Sequence, residues 1–217
     1  METAAKQQTF RGVNVVDHPL VAARLAVLRD HETATVDFRR SLQELSIMLL
    51  VEAARSWATS PVAIETPLSA SAGAVLSKHV ALIPVLRAGV GMLDGMLRLL
   101  PDARVGHLGL YRDELTLRPV TYYQRLPASI ATAQVLLLDP MLATGFSACE
   151  AVSILKANGA RDIQFICVVA CPQGIEQLQT QHADVPIFTA AIDPELNQFG
   201  YIVPGLGDAG DRYFGTL

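Results

Sequence analysis

Residues 135–152 read VLLLDPMLATGFSACEAV, and this stretch indicates the fold class. A short aliphatic run ends at Asp139, a small hydroxyl-containing loop extends from Thr144 to Ser147, and a helical pattern follows. A continuous aliphatic run is typical of a strand in a parallel sheet, because helices cover both faces of such a sheet. The stretch therefore predicts a buried strand, a loop and a helix, with a lone carboxylate where the strand ends.

Strands and helices alternate in the same way outward from this stretch. The other aliphatic runs are VALIPVLRAGVG (80–91), RVGHLGLYRDE (104–114), IQFICVVACPQG (163–174) and VPIFTAAID (185–193). The helical patterns lie at 18–30, 35–58, 91–100, 147–159 and 174–182, and the second of them carries an apolar stripe of Phe38, Leu42, Leu45 and Leu49. This order predicts an α/β domain with a mainly parallel central sheet flanked by helices.

The composition excludes several classes of function. The 217 residues, 51% of them hydrophobic, are enough for a single well-packed domain, and the net charge of -4 argues against a nucleic-acid partner. Cys149, Cys167 and Cys171 lie in apolar surroundings, so we expect reduced core residues. No apolar run approaches the roughly 18 residues that cross a bilayer. We therefore expect a cytoplasmic protein with no membrane contact.

The loop after the central strand suggests a phosphate site. The first turn of a helix presents unpaired N–H groups and the positive end of the helix dipole, and the hydroxyls of Thr144 and Ser147 add donors. Asp139, across the same loop, would repel a phosphate and is better placed to accept hydrogen bonds from sugar hydroxyls. Together these residues fit a ribose 5-phosphate. The simpler alternative is that Ser147 only caps a helix and Asp139 only caps a turn.

Two arginines also follow strands, where ligands gather in open α/β sheets. Arg87 comes after 80–86, and Arg112 stands at the base of a segment, 110–126, that breaks the alternation and predicts a two-stranded arm. An arginine fork donates two parallel hydrogen bonds to a phosphate. The alternatives are an ordinary surface cation for Arg87 and packing of the arm for Arg112. His182 is expected to be a solvated residue at the end of its helix.

The motif DPMLATG resembles the phosphoribosyl pyrophosphate loop of type I phosphoribosyltransferases, in the form found in uracil phosphoribosyltransferases. Six further segments resemble that family in the same order: HPLVAARLAVLRD, IETPL, PVLRAGVGMLDGM, GHLGLYRDE, YYQRLP and YIVPGLGDAGDRYFGT. The resemblance runs from His18 to Thr216. It implies a type I phosphoribosyltransferase fold in a single domain, 1–217, with N-terminal helices at 18–60, a projecting β-arm at 110–126 and a C-terminal uracil-binding hood at 196–217.

The resemblance implies a Mg²⁺-dependent pentosyltransferase of pyrimidine salvage, which converts uracil and phosphoribosyl pyrophosphate (PRPP) to UMP and diphosphate. The implied PRPP-binding residues are Arg87, Arg112, Asp139, Pro140, Met141, Leu142, Ala143, Thr144, Gly145, Phe146, Ser147 and Asp208. The implied uracil-binding residues are Ile202, Gly207, Asp208 and Ala209. Asp208 and Arg112 are the implied catalytic residues, and Mg²⁺ would be held through the diphosphate and water, near Asp208, without a direct protein ligand.

The glycine-rich tail would let main-chain groups approach a flat ring edge, at Gly205, Gly207 and Gly210. Uracil offers an acceptor, a donor and an acceptor along O4, N3–H and O2. Cytosine has another order and would leave buried polar groups unpaired. The family further implies a homodimer or larger homo-oligomer, in some members activated by GTP.

One residue departs from the family pattern, because Phe146 stands where a glycine is usual. A positive φ there would strain a phenylalanine, or the glycine could serve the close approach of a phosphate oxygen. Two alternatives to the active enzyme stay open, and the first of them rests on this departure. One is a degenerate scaffold with weak or no turnover, and the other is a regulatory protein that binds PRPP or a nucleotide.

Overall fold

The computed structural model describes residues 10–112 and 119–216, and of Arg112 and Pro119 it describes the backbone alone. The helices are α1 (Pro19–Arg29), α2 (Thr35–Ala53), α3 (Val90–Leu99), α4 (Phe146–Ala157), α5 (Pro172–His182) and α6 (Ala209–Phe214). The strands up to the middle of the chain are β1 (Val13–Val15), β2 (Thr59–Glu65), β3 (Ala70–Leu76), β4 (Val80–Leu86), β5 (Arg104–Val105), β6 (His107–Arg112) and β7 (Pro119–Arg125). The later strands are β8 (Gln134–Leu138), β9 (Met141–Leu142), β10 (Asp162–Ile166), β11 (Val169–Ala170), β12 (Ile187–Thr189), β13 (Ala191–Ile192), β14 (Glu195–Leu196) and β15 (Ile202–Val203).

The central sheet is mainly parallel, as predicted. Its strand order is β1-β12-β10-β8-β4-β6-β7, with β5 also paired to β4, and only β6 and β7 are antiparallel. The opening stretch supplies β8, which lies between β10 and β4. The carboxyl ends of β4 and β8 therefore lie side by side at one edge of the sheet.

Helices cover both faces of this sheet because its strands are apolar on both faces. Leu136 and Leu138 of β8 pack into one core with α1, α2 and α3, whereas Val135 and Leu137 pack into a second core with α4 and α5. The predicted stripe of α2, Phe38, Leu42, Leu45 and Leu49, is completely buried in the first core. The three cysteines are free and buried, which confirms their expected place in the core.

The C-terminal hood is tied to the first two helices by arginines. Arg212 donates to the carbonyl oxygens of Leu28 and Asp30 and lies over the ring of Phe38. Arg39 of α2 donates to the carbonyl oxygen of Tyr213 at 2.7 Å. The hood is therefore a packed part of the domain and not a loose tail.

One antiparallel hairpin continues the central sheet, and another lies outside it. The antiparallel strands β6 and β7 begin the predicted arm, and its middle, 113–118, lies outside the described residues. The second hairpin, β2 with β3, was not predicted. Most residues of this hairpin are exposed. Its small and apolar side chains therefore show neither the continuous aliphatic run of a buried strand nor the alternation of a half-buried strand, and those are the patterns that predict strands.

The expectation for His182 is wrong. Its side chain is buried between α5 and α4, where Nε2 lies 3.1 Å from Oγ of Ser153 and 3.2 Å from the carbonyl oxygen of Cys149. Desolvation, and then the nearby ammonium of Lys156, lower the pKa of His182. The polar sequence QTQH gives no sign of this packing, which depends on the facing helix. Over the described ranges, no helix has the length and apolar character that a bilayer span needs.

Candidate functional site

The loop between β8 and α4 is held by a small second sheet. Its first half forms β9, which pairs in parallel with β11, and β11 pairs with β13. Pro140 and Leu142 are buried, whereas Met141, Thr144 and Ser147 remain partly exposed. The loop thus presents its hydroxyl side chains while its aliphatic residues anchor it to the core.

The turn into α4 explains how the chain accommodates Phe146. The left-handed residue is Gly145, with φ of +81°, and Phe146 begins the helix with right-handed backbone. The hypothesis of strain at Phe146 is therefore wrong, and its ring is 46% exposed. Because Gly145 has no side chain to cap the helix, the first-turn N–H groups of α4 can serve an anion. Phosphate binding at this turn stays a prediction.

The first turn of α5 supports this loop from behind. The Cys171 thiol donates to the carbonyl oxygen of Ala143 at 2.9 Å. A Cβ on Gly174 would collide with the carbonyl oxygens of Ala143 and Leu142, and a Cβ on Gly145 would come within 2.7 Å of the Gly174 carbonyl oxygen. The main chains of the β8–α4 loop and of the first turn of α5 are therefore in direct contact. Neither Cys171 nor Gly174 was predicted to support the loop, because the sequence does not show that α5 begins beside it.

Asp139 lies at the end of β8, where the sequence placed it. Burial of the carboxyl raises the pKa of Asp139 to about 7, and a long hydrogen bond of 3.4 Å from the N–H of Met141 opposes this only weakly. Desolvation disfavours the charged form of an acid, which is the physical cause of the rise. The carboxyl is therefore poised to change charge near neutral pH and can gain hydrogen-bond donors from a bound ligand.

Arg87 follows β4 at the same edge of the sheet. A Cβ on Gly89 would collide with the carbonyl oxygen of Leu138, so the segment after β4 packs directly on the end of β8. Nη2 of Arg87 lies 2.9 Å from Oδ1 of Asp211, and its guanidinium lies over the Phe214 ring at 5.6 Å. Arg87 thus connects the end of the sheet with the hood, while its side chain stays about half exposed.

Asp208 begins the hood helix α6. Its Oδ1 accepts a hydrogen bond from the N–H of Asp211 at 2.9 Å, which makes it the N-cap of the helix. The backbone of Gly207 is left-handed, with φ of +70°, and is exposed, whereas Ile202 and Ala209 are buried. All four predicted uracil-binding residues therefore belong to one short segment of the hood, beside the Arg87 segment.

The arrangement brings most of the predicted residues to one edge of the sheet. Asp139 and the β8–α4 loop follow β8 there, and Arg87, after the neighbouring β4, joins this edge to the hood. The side chain of Arg112 lies outside the described residues, and its role stays a prediction. Asp211 was not predicted. Hydrogen bonds from Thr216 and from Arg87 lower the pKa of Asp211. Its only signal in the sequence is that it is the second carboxylate of GDAGDR.

The residues at this edge do not form a conventional metal cage. Within residues 10–112 and 119–216, no three His, Cys, Asp or Glu side chains come together as a metal-ligand group. Mg²⁺ bound together with a phosphorylated substrate needs few ligands from the protein, because phosphate oxygens and water complete its coordination. The partly exposed carboxylate of Asp208 fits a place beside such an ion, as an acceptor for its bound water.

Comparisons with known proteins point to the same chemistry. The model of the uracil phosphoribosyltransferase family matches residues 15–216. A uracil phosphoribosyltransferase of Dictyoglomus thermophilum is 55% identical over 205 residues, which cover 94% of this chain and 99% of that protein. Another, of Bacillus velezensis, is 50% identical and covers 94% of this chain and 98% of its own. The match therefore includes the β8–α4 loop and the hood together.

Solved structures agree on the fold. The AQ2163 protein of Aquifex aeolicus superposes with a TM-score of 0.89 at 33% identity, over 93% of this chain and 97% of that chain. Adenine phosphoribosyl transferase of Trypanosoma brucei has a TM-score of 0.55 at 11% identity, over 85% of both chains, which is a likeness of fold alone. Given the family match from residue 15 to residue 216, the chain belongs to the uracil phosphoribosyltransferase family.

Proposed function

We propose that this chain transfers the phosphoribosyl group of PRPP to N1 of uracil, giving UMP and diphosphate in pyrimidine salvage. The observation that carries the proposal is the meeting of three parts at one edge of the sheet. These are the turn into α4, the Asp139 carboxyl and the hood that begins at Asp208. The degenerate alternative depended either on strain at Phe146 or on a lost close approach of a phosphate oxygen, and the helical backbone of that residue removes the first reason.

In this proposal PRPP lies along the β8–α4 loop. The first-turn N–H groups of α4 and the hydroxyls of Thr144 and Ser147 bind the 5-phosphate. Asp139 accepts hydrogen bonds from the ribose hydroxyls in its ionised form. Arg87 and Arg112 bind the diphosphate, and Arg87 must exchange Asp211 for it, because that carboxylate is its partner here.

Uracil lies against the hood in this proposal. The segment from Gly207 to Ala209 offers main-chain groups to the ring edge, and the exposed Gly207 leaves room for close approach. A main-chain strip that matches O4, N3–H and O2 would leave polar groups unpaired with cytosine, at a cost of about 1–3 kcal/mol per group. Ile202 is buried in the core beneath this main-chain strip and supports it.

Catalysis in this site is mainly positioning and electrostatics. Breaking the bond at C1 leaves positive charge on the sugar and negative charge on the departing diphosphate, so the arginines stabilise the charge that develops. Bound Mg²⁺ would neutralise part of that diphosphate charge. Asp208 either receives the uracil N1 proton or accepts a hydrogen bond from metal-bound water. The arm of β6 and β7 excludes water, which competes with uracil for the cationic sugar.

The purified protein tests this function directly. With uracil, PRPP and Mg²⁺ we expect UMP and diphosphate in equal amounts, and no UMP once EDTA exceeds Mg²⁺. Product can be followed by chromatography at 260 nm. Replacing uracil with cytosine is the specificity control, and it should give no CMP. Absence of UMP across a wide range of both substrates would overturn the proposal, and full activity in EDTA would remove Mg²⁺ from it.

The support from α5 gives a second prediction. Gly174→Ala is expected to raise KM for PRPP about tenfold and to leave KM for uracil within about twofold, because the new methyl displaces the main chain of the phosphate loop. Gly95→Ala is the matched control, since its methyl would collide with the carbonyl oxygen of Gln43, between α2 and α3. Gly95→Ala should lower the melting temperature and leave both KM values unchanged. Equal KM changes in the two variants would show that the contact of Gly174 with the loop has no specific effect on PRPP binding.

We extend the proposal to a homo-oligomer. The hairpin of β2 and β3 exposes apolar side chains, including Val62, Ile64, Val75 and, at 96% exposure, Leu68. An exposed apolar hairpin of this kind favours burial against another subunit. Activation by GTP stays a prediction of the family resemblance.

A further inference from the structure

The partly buried ion pair of Arg29 and Asp193 lies outside the residues assigned so far, and it holds the hood. Arg29 is the last residue of α1, and Asp193 directly follows β13. The guanidinium binds both carboxylate oxygens, with Nη1 at 2.8 Å from Oδ2 and Nη2 at 2.6 Å from Oδ1. The Asp193 side chain is only 5% exposed. A two-pronged pair of this kind fixes orientation as well as distance.

Both partners of the pair also bind the same residue of the hood. Nη1 of Arg29 donates to the carbonyl oxygen of Gly205 at 3.0 Å, and the N–H of Gly205 donates to Oδ2 of Asp193 at 2.9 Å. Gly205 has φ of +60° and is buried, and a Cβ there would collide with the carbonyl oxygen of Ile202. The position of Gly205 is therefore set from both sides of its own main chain.

The pair also connects the hood to the phosphate loop. Asp193 ends the small sheet β13-β11-β9, in which β9 is the first half of that loop. The N–H of Asp193 donates to the carbonyl oxygen of Ala170 in β11 at 2.8 Å. Gly205 stands two residues before Gly207. Asp193 thus joins Gly205 of the hood to the small sheet that also contains β9.

We propose that Arg29 and Asp193 are positioning residues that fix the main-chain strip after Gly205 for uracil. The inference rests on the proposed place of uracil at the hood. Neither side chain is expected to touch a substrate. A displacement of the strip by a fraction of an ångström would misalign the hydrogen bonds to uracil while leaving the PRPP loop on its own supports, so the effect falls on one substrate.

Asp193→Asn is expected to raise KM for uracil about tenfold and to keep KM for PRPP within about twofold, measured as UMP formation with the other substrate saturating. Arg29→Lys keeps the charge but cannot bind both carboxylate oxygens and the Gly205 carbonyl with one planar group, so it should show a smaller effect in the same direction. It also serves as the deciding variant if Asp193→Asn fails to fold.

A double variant separates positioning from simple stability. Arg29→Met with Asp193→Leu removes the unpaired Arg29 charge that Asp193→Asn leaves, so its melting temperature should exceed that of Asp193→Asn. KM for uracil should nevertheless stay raised, because Gly205 has lost both of its anchors. Leu155→Ala, a core change at the C-terminal end of α4, away from the hood and from the first turn of that helix, is the control that lowers stability without altering either KM.

Two outcomes would overturn the inference. In the first, KM for uracil stays unchanged or returns to the wild-type value in the double variant. In the second, both KM values rise and the melting temperature falls.

Gly207→Ala tests the strip itself and should raise KM for uracil, because its φ disfavours a side chain. If Gly207→Ala has no effect, uracil does not bind at the hood and the positioning role falls with it. If Gly207→Ala acts and the ion-pair variants do not, only the positioning role is wrong.

Discussion

Asp208→Asn is expected to lower kcat by about 100-fold or more while keeping the melting temperature within about 2 °C of the wild type. Asp208 is the N-cap of α6, and asparagine caps a helix as well as aspartate does. The hydrogen bond to the N–H of Asp211 should therefore survive the change. In the proposed site, the change removes the negative charge beside the base and the diphosphate, and with it the proton acceptor or the partner of metal-bound water.

The measurement is steady-state UMP formation with both substrates saturating, together with calorimetry of the same preparations. Asp208→Ala is the matched control, because it removes the charge and the cap together and should cost about 1 kcal/mol of stability in addition. If Asp208→Asn turned over at the wild-type rate, Asp208 would be a cap and nothing more. A loss confined to Asp208→Ala would lead to the same conclusion.

The place of the β8–α4 loop in the fold could be predicted because its residues are consecutive in the sequence. Asp139 and Ser147 bracket a loop whose strand and helix both have strong local patterns, so their placement follows from the general geometry of parallel sheets. The outcome for Phe146 shows the limit of this reasoning. The sequence shows a bulky residue in a tight turn, but the backbone assigns the positive φ to Gly145, one residue earlier.

The supports of the site could not be predicted because they join distant parts of the chain. Arg29 meets Asp193 across 164 residues, and Arg87 meets Asp211 across 124. A lone arginine at the end of a helix has no feature that identifies its partner. Buried His182 and the exposed hairpin of β2 and β3 were missed for the same reason, since both depend on what packs against a segment and not on its own periodicity.

Asp139→Asn is expected to weaken PRPP binding and to stabilise the folded protein in neutral to alkaline solution. We expect KM for PRPP to rise about 10- to 100-fold at pH 8, because an amide cannot accept the ribose hydroxyls with both of its polar atoms. The free energy of unfolding at pH 8 should rise by about 2 kcal/mol, since burial disfavours the charge that the change removes.

The sign of the pH dependence follows from the raised pKa. The folded protein holds the Asp139 proton up to about pH 7, whereas the unfolded chain releases it near 3.8. Between these values the folded state binds more protons, so this carboxyl makes stability fall as the pH rises. Asp139→Asn should lack that fall. Its stability should therefore match the wild type near pH 4 and exceed it at pH 8, which urea unfolding at the two pH values can measure.

The same ionisation should control substrate binding in the opposite direction. In the wild type, KM for PRPP should fall between pH 6 and pH 8 as Asp139 becomes a carboxylate. PRPP phosphates also titrate near pH 6, so the Asp139→Asn variant serves as the reference for the substrate's own contribution. A wild-type KM profile parallel to that of the variant would show that Asp139 does not bind the ribose. A variant less stable than the wild type at pH 8 would show that the carboxylate is not buried at a cost in the folded state.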